Sequence, residues 1–144
     1  MAAPIQDATH RAGFGLRLEA CLIDYMLSLL GAVAIIWAGS LLVHHMSLTA
    51  LSLAGLGGMG LVFLFNHVWL GTLTGQSVGK MILAIRAVRT DGRPLEWSRM
   101  LGRSTVGYLL SAAVFGLGFI WILWDPEQQA WHDKIFSTYV VRMR

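Results

Sequence analysis

Arg17-Leu18-Glu19-Ala20-Cys21-Leu22-Ile23-Asp24 runs directly into Tyr25-Met26-Leu27-Ser28-Leu29-Leu30-Gly31-Ala32-Val33-Ala34-Ile35-Ile36-Trp37-Ala38-Gly39-Ser40-Leu41-Leu42-Val43. The second part is nineteen residues without a formal charge. At a rise of about 1.5 Å per residue, a helix needs about 20 such residues to cross the hydrocarbon of a bilayer. Asp24 stands at the entrance to this run. A carboxylate near hydrocarbon costs a few kcal/mol, so an acid in that place is by default a functional hypothesis. The seven-residue spacing from Arg17 to Asp24 is close to two helical turns. It sets both on one face, with Cys21 between them and Ser28 beyond.

Two further uncharged windows follow at 46–79 and 104–124. Hydrophobic residues make up 56% of the 144-residue chain and charged residues 13%, about half the charged share of an ordinary soluble domain. Three windows of spanning length in a chain of single-domain size predict a polytopic membrane protein. The first run is too long for a signal h-region and lacks a small-residue cleavage site, so it is expected to stay in the protein. The single cysteine, Cys21, excludes an intrachain disulfide and a cysteine-built metal cluster. The net charge of +3 comes from basic residues crowded beside apolar runs. That pattern reads as topology rather than as a nucleic-acid face.

The tail 1–10 has little periodicity and is expected to be mobile. Helices are predicted over 15–43 and 48–70, joined by His44-His45-Met46-Ser47. His44 and His45 then form a solvated turn. The second helix carries Ala50, Ala54 and Gly58 at intervals of four, with Gly55, Gly57 and Gly60 alongside. Small residues so spaced let helices approach closely in lipid, although glycine is also common in membrane helices generally. The segment 71–103 holds Lys80, Arg86, Arg89, Arg93, Arg99 and Arg103 against only Asp91 and Glu96. By the positive-inside rule it lies in the cytoplasm with the N-terminus, and His44 and His45 lie outside.

Within that segment 81–89 ends at Asp91-Gly92, the pattern of a short strand and turn, with an interfacial helix as the alternative. Residues 94–103 suit an amphipathic helix at the headgroups. The window 104–124 is open to two readings. One spanning helix carries the tail outside. A break at Gly116 and Gly118 instead makes two shorter helices that turn back, and strand-like 137–142 then pairs with 82–89 on the inner side. The second reading is favoured. Trp121, Trp124 and Trp131 fit an interfacial belt under either.

Three segments resemble the RDD family of small bacterial membrane proteins, named for one arginine and two aspartates. Ala12-Gly13-Phe14-Gly15-Leu16-Arg17 through Ile23-Asp24 is similar to its opening. Gly75-Gln76-Ser77-Val78-Gly79-Lys80, with Ile85-Arg86-Ala87-Val88 and Asp91-Gly92, is similar to its middle. His132-Asp133-Lys134-Ile135, with Thr138-Tyr139-Val140-Val141, is similar to its close. Ser137 departs from the pattern, standing where a small residue such as glycine is expected. The resemblance covers about 12–141 and implies that Arg17, Asp24 and Asp133 are the name-giving trio. It also implies transport of some ligand.

For Arg17 and Asp24 the residues support three readings. They form an ion or proton site in which the guanidinium favours the ionised carboxylate and desolvation opposes it. Alternatively they anchor the helix end through buried hydrogen bonds, or dock another membrane protein. Asp133 closes the network with Arg17 if the tail returns inside, and otherwise is a solvated turn residue or a helix cap. Gly75 to Lys80 fails the phosphate-loop pattern, with three residues between its glycines and Met81 after the lysine. Gly79 and Lys80 either contact a lipid phosphate or mark the exit of the second helix. Asn66 and His67 are expected to bond neighbouring backbone or water.

Metal hydrolysis is excluded because the histidines lie in separate segments, and no Ser-His-Asp or Cys-His set is present. The expectation is thus an all-α polytopic membrane protein of three spans, or two spans plus a Gly-broken helical hairpin, with a short cytoplasmic strand pair. It is expected in the bacterial inner membrane, without catalytic residues, metal or cofactor. Its partners are the lipid bilayer and either a homo-oligomer or a larger membrane complex. The job is transport of a cation, proton or other small ligand; the alternatives are an accessory subunit docking through Ala50-Ala54-Gly58 and a lipid-headgroup binder.

Overall fold

The computed structural model describes residues 11–42 and 47–143. The expectations for the tail 1–10 and for His44 and His45 therefore lie outside the described residues. Helix α1 spans Phe14–Leu42 and α2 spans Leu48–Thr74; both are long and apolar enough to cross a membrane. Ser47 caps α2, its hydroxyl accepting from the Ala50 N–H at 3.2 Å, as a serine at that position does.

The two helices run antiparallel, with Gly31 against Val62, Gly55 against Ile36 and Gly58 against Ile35. A Cβ on Gly58 would lie 2.2 Å from Ile35 Cδ1. The close approach thus uses Gly31, Gly55 and Gly58 rather than the Ala50-Ala54-Gly58 row. Gly58 is already covered from within the chain and is not part of a free docking face.

Helix α2 continues four residues past its expected end through a widened turn at Phe65–Leu70. It stops at Gly75, whose φ of 76° is left-handed and whose absent side chain would meet the Ala87 carbonyl at 2.6 Å. A short helix α3 (Val78–Ile82) leads to strand β1 (Ile85–Arg89). Arg89 bonds both Asp91 and Glu96 and so closes the following loop.

Helix α4 (Trp97–Ala113) and helix α5 (Leu117–Leu123) meet at a bend of 104°. The segment expected to lie separately at the headgroups is instead the first part of α4, continuous with the apolar stretch through a widened turn at Arg103–Gly107. The break falls where glycine allows it, and its two glycines act differently. Gly116 supplies a φ of 77°, a conformation cheap only for glycine. Gly118 lets α5 lie against α4, since a Cβ there would be 2.5 Å from Ser111 Cα.

Helix α6 (Trp131–Ile135) precedes strand β2 (Thr138–Arg142), which pairs antiparallel with β1 in the register Ile85↔Arg142 through Arg89↔Thr138. The tail therefore returns to the face that holds Arg11. Both sheet edges are covered, as exposed edges require. Ala12 N–H donates to Val140 O at 2.8 Å on one side, and Ala87 N–H donates to Gly75 O at 2.7 Å on the other. Ala12, Ala20, Ile85, Ala87 and Val140 pack together beneath the sheet.

Large apolar side chains face outward along the helices: Leu22, Leu30, Val33 and Trp37 on α1, Leu53, Leu56 and Leu61 on α2. Polar ones fill the interior, including Asp24, Ser28, Asn66, Arg103, Ser111 and Asp133.

Candidate functional site

Asp133 lies in the first turn of α6 with its side chain 0% exposed. Two guanidinium groups converge on it. Arg17 reaches Oδ2, and Arg103 donates to Oδ1 through Nε at 3.0 Å and Nη2 at 2.6 Å. Thr138 Oγ1 adds a bond to Oδ1 at 3.2 Å, and the Ala130 N–H one to Oδ2 at 3.3 Å. Burial opposes ionisation of this carboxyl, but Arg103 and then Arg17 outweigh it and hold Asp133 well below the usual carboxylate range.

Arg17 completes its set by donating to Ala12 O and Gln128 O, each at 2.8 Å. It therefore joins α1, the sheet edge and the segment before α6. The guanidinium of Arg103 is used less fully. Its residue is 1% exposed, yet Nη1 has no hydrogen-bond partner among the described residues.

Asp24 belongs to a second cluster. Its Oδ1 accepts from Asn66 Nδ2 at 2.7 Å and Gly79 N–H at 2.8 Å, and its Oδ2 from Ser77 Oγ at 2.5 Å. Asn66 in turn accepts from Val78 N–H at 2.8 Å, so one carboxylate and one amide lock α1, α2 and α3 together.

Two expectations are corrected here. Arg17 pairs with Asp133 and not with Asp24. Helical side chains lean toward the N-terminus, so Arg17 points back toward Ala12 while Asp24 lies two turns the other way. Gly79 does not offer its N–H to a phosphate, because Asp24 takes it. Its missing side chain has a different use: a Cβ would sit 2.2 Å from the Ala20 carbonyl oxygen, so glycine lets α3 touch the backbone of α1.

Lys80 stands between the clusters, 8% exposed. It is acted on by Arg103, Asp24, Asp133 and Arg17 and has no hydrogen bond or ion pair among the described residues. Burial, with the Arg103 charge adding to it, brings Lys80 down to about 7.

A cavity of about 380 Å³ joins the two groups; Arg17, Asp24, His67, Lys80, Arg103 and His132 line it. Burial lowers His132 to about 3 against the pull of Asp133, so its imidazole is neutral near pH 7. Its Nδ1 lies 3.1 Å from Ser111 Oγ, and its ring packs against Tyr108 at 4.8 Å between centroids. Among the described residues no three histidine, cysteine or acidic side chains gather as metal ligands.

Reading the sequence as topology missed Arg103, which counted there only as one more cytoplasmic charge. The available signal was its position, immediately before the uncharged window at 104, as Asp24 immediately precedes the window at 25.

Helices of spanning length around a buried arginine–aspartate network define a membrane-type helical protein. The chain belongs to the RDD family, whose model matches residues 11–137. It is 31% identical over 133 residues to YckC, an uncharacterized protein of Bacillus subtilis, an overlap of 90% of this chain and 83% of the relative. It is also 31% identical over 84 residues to a proline-rich antigen homolog of Mycobacterium tuberculosis, across 57% of this chain. A proline-rich antigen of Mycobacterium leprae is 27% identical over 75 residues, 51% of this chain. The matched parts span only 35% and 30% of those two mycobacterial proteins. No solved structure matches the chain.

Proposed function

We propose that the chain is a multi-pass protein of the bacterial cytoplasmic membrane that handles a small anionic ligand in the cavity beside Lys80 and Arg103. Membrane residence is supported by the inverted burial, with leucine and tryptophan outward and aspartate and arginine within. Charged groups inside a membrane protein face the bundle interior and pair there. We read the α4–α5 bend as a re-entrant hairpin rather than a broken span, with the sheet on the arginine-rich face that the positive-inside rule assigns to the cytoplasm. Arg11 and Ala12 lie against that sheet, which puts them on the same side in this reading.

The observation that carries the ligand reading is the charge count around the cavity. Arg17, Arg103 and Lys80 face Asp24 and Asp133, and both carboxylates are already bonded by protein donors. With Lys80 protonated the cluster holds one cation in excess, and among the described residues Arg103 Nη1 and the Lys80 ammonium have no hydrogen-bond partner. Of the ligands expected, a cation, a proton or another small ligand, that balance favours the last, as an anion. Catalytic residues, a metal or a cofactor play no part in this reading.

Helices about 10 Å wide with side chains hardly enclose a path in this number, so transport requires self-association or a larger complex. The accessory-subunit reading rests on that same thinness. Thermal denaturation of the purified full chain separates the ligand classes: phosphate or butyrate raises Tm, whereas sodium or potassium at matched ionic strength does not. Stabilisation by the cations alone would refute the anion site. Proteoliposomes loaded with the bound anion then test movement, and strict retention of it would favour the accessory role.

A further inference from the structure

We propose that the ligand of this cavity is a single-chain anionic amphiphile, with its acid group against Lys80 and Arg103 and its acyl chain lying along α1 and α5. This inference rests on the anion site proposed above and adds the nature of the rest of the ligand. The cavity lining includes two groups with unspent donors among the described residues, the buried Arg103 Nη1 and the Lys80 ammonium. The remaining wall is apolar, built by Phe14, Leu18, Phe119, Ile120 and Ile122. A free inorganic anion gains nothing from such a wall, whereas a hydrocarbon chain buries against it at about 25 cal/mol per Å².

The cavity reaches the outer surface of the helices. Leu18 is 45% and Ile120 37% exposed while also lining it, so a chain enters sideways from the acyl region without crossing the polar face. Its volume of about 380 Å³ is near the lower end of the range for small-molecule sites, about 300–1,000 Å³. That suits one chain better than two. The acid oxygens complete the hydrogen bonding of Arg103 and place a negative charge beside the excess cation. Charge-assisted bonds of this kind are the stronger class.

Native mass spectrometry of the full chain, released from a neutral sugar detergent, tests this with five probes: laurate, dodecyl phosphate, butyrate, inorganic phosphate and dodecanol. Laurate and dodecyl phosphate should be retained. Lys80→Met should reduce their retention about tenfold, the loss of one charge-assisted hydrogen bond. Leu18→Trp should reduce it too, by filling the chain-binding part from an exposed position. Equal retention of butyrate or phosphate would overturn the amphiphile and leave the anion site standing. Dodecanol held as firmly as laurate would show a merely greasy groove and overturn the head-group assignment. Failure of all five probes would remove both readings.

Discussion

Among the described residues Lys80 is a buried amine without an ion-pair partner, and its charged form is costly to keep. Its ordinary value of 10.5 falls to about 7 in the fold. The destabilising contribution is therefore absent above about pH 10.5, grows as pH falls toward about 7, and is constant below that. The charged and titratable groups facing it are Arg103 of α4, Asp24 and Arg17 of α1, Asp133 of α6 and His67 of α2. Lys80→Met should raise Tm near neutral pH and flatten the rise of Tm between pH 7 and 10, measurable by calorimetry of the detergent-solubilised chain. An anion bound beside it favours the protonated form, so affinity should weaken as pH rises through about 7. Asp133 is the opposite case. Asp133→Asn leaves two guanidinium groups without a carboxylate and should destabilise by about 3–5 kcal/mol, seen as loss of folded protein on size exclusion in mild detergent.

At the scale of elements, the helices were legible in the sequence because charge ends them. Uncharged runs marked α1 and α2 to within a few residues, and Gly116 with Gly118 marked the turn of the hairpin. The join of the amphipathic segment to α4 was not legible. Arg99 and Arg103 read as cytoplasmic charges of a headgroup helix, whereas Phe136 O and Asp133 receive them inside the fold. The direction of Arg17 was hidden for a related reason, since helical spacing says which residues share a face but not where a long side chain finds its partner. Ser137 shows a departure from the family pattern acquiring a cause. Its φ is 50°, in the left-handed region that costs a side-chain-bearing residue about 1–2 kcal/mol. Ser137→Gly should therefore stabilise the turn between α6 and β2, by about 1 kcal/mol after the extra chain entropy of glycine is deducted. A calorimetric scan showing no increase in Tm would contradict this.

For the whole molecule, the sheet fixes the topology more firmly than hydropathy does. Strand β2 lies between β1 and the Arg11–Ala12 edge, so Arg11, Ala12 and β2 share one face of the molecule. Reporter fusions at the two ends should give the same sidedness, cytoplasmic for both. Opposite signals would require one straight third span and would break the β1–β2 pairing. The order in which the chain is made gives the Asp133 network another property. Arg17 and Arg103 precede their shared carboxylate during synthesis, so both helices carry uncompensated charge until α6 emerges. A chain cut short before α6 would leave both guanidinium groups without this carboxylate, so truncation there should cost folded protein in mild detergent as Asp133→Asn does.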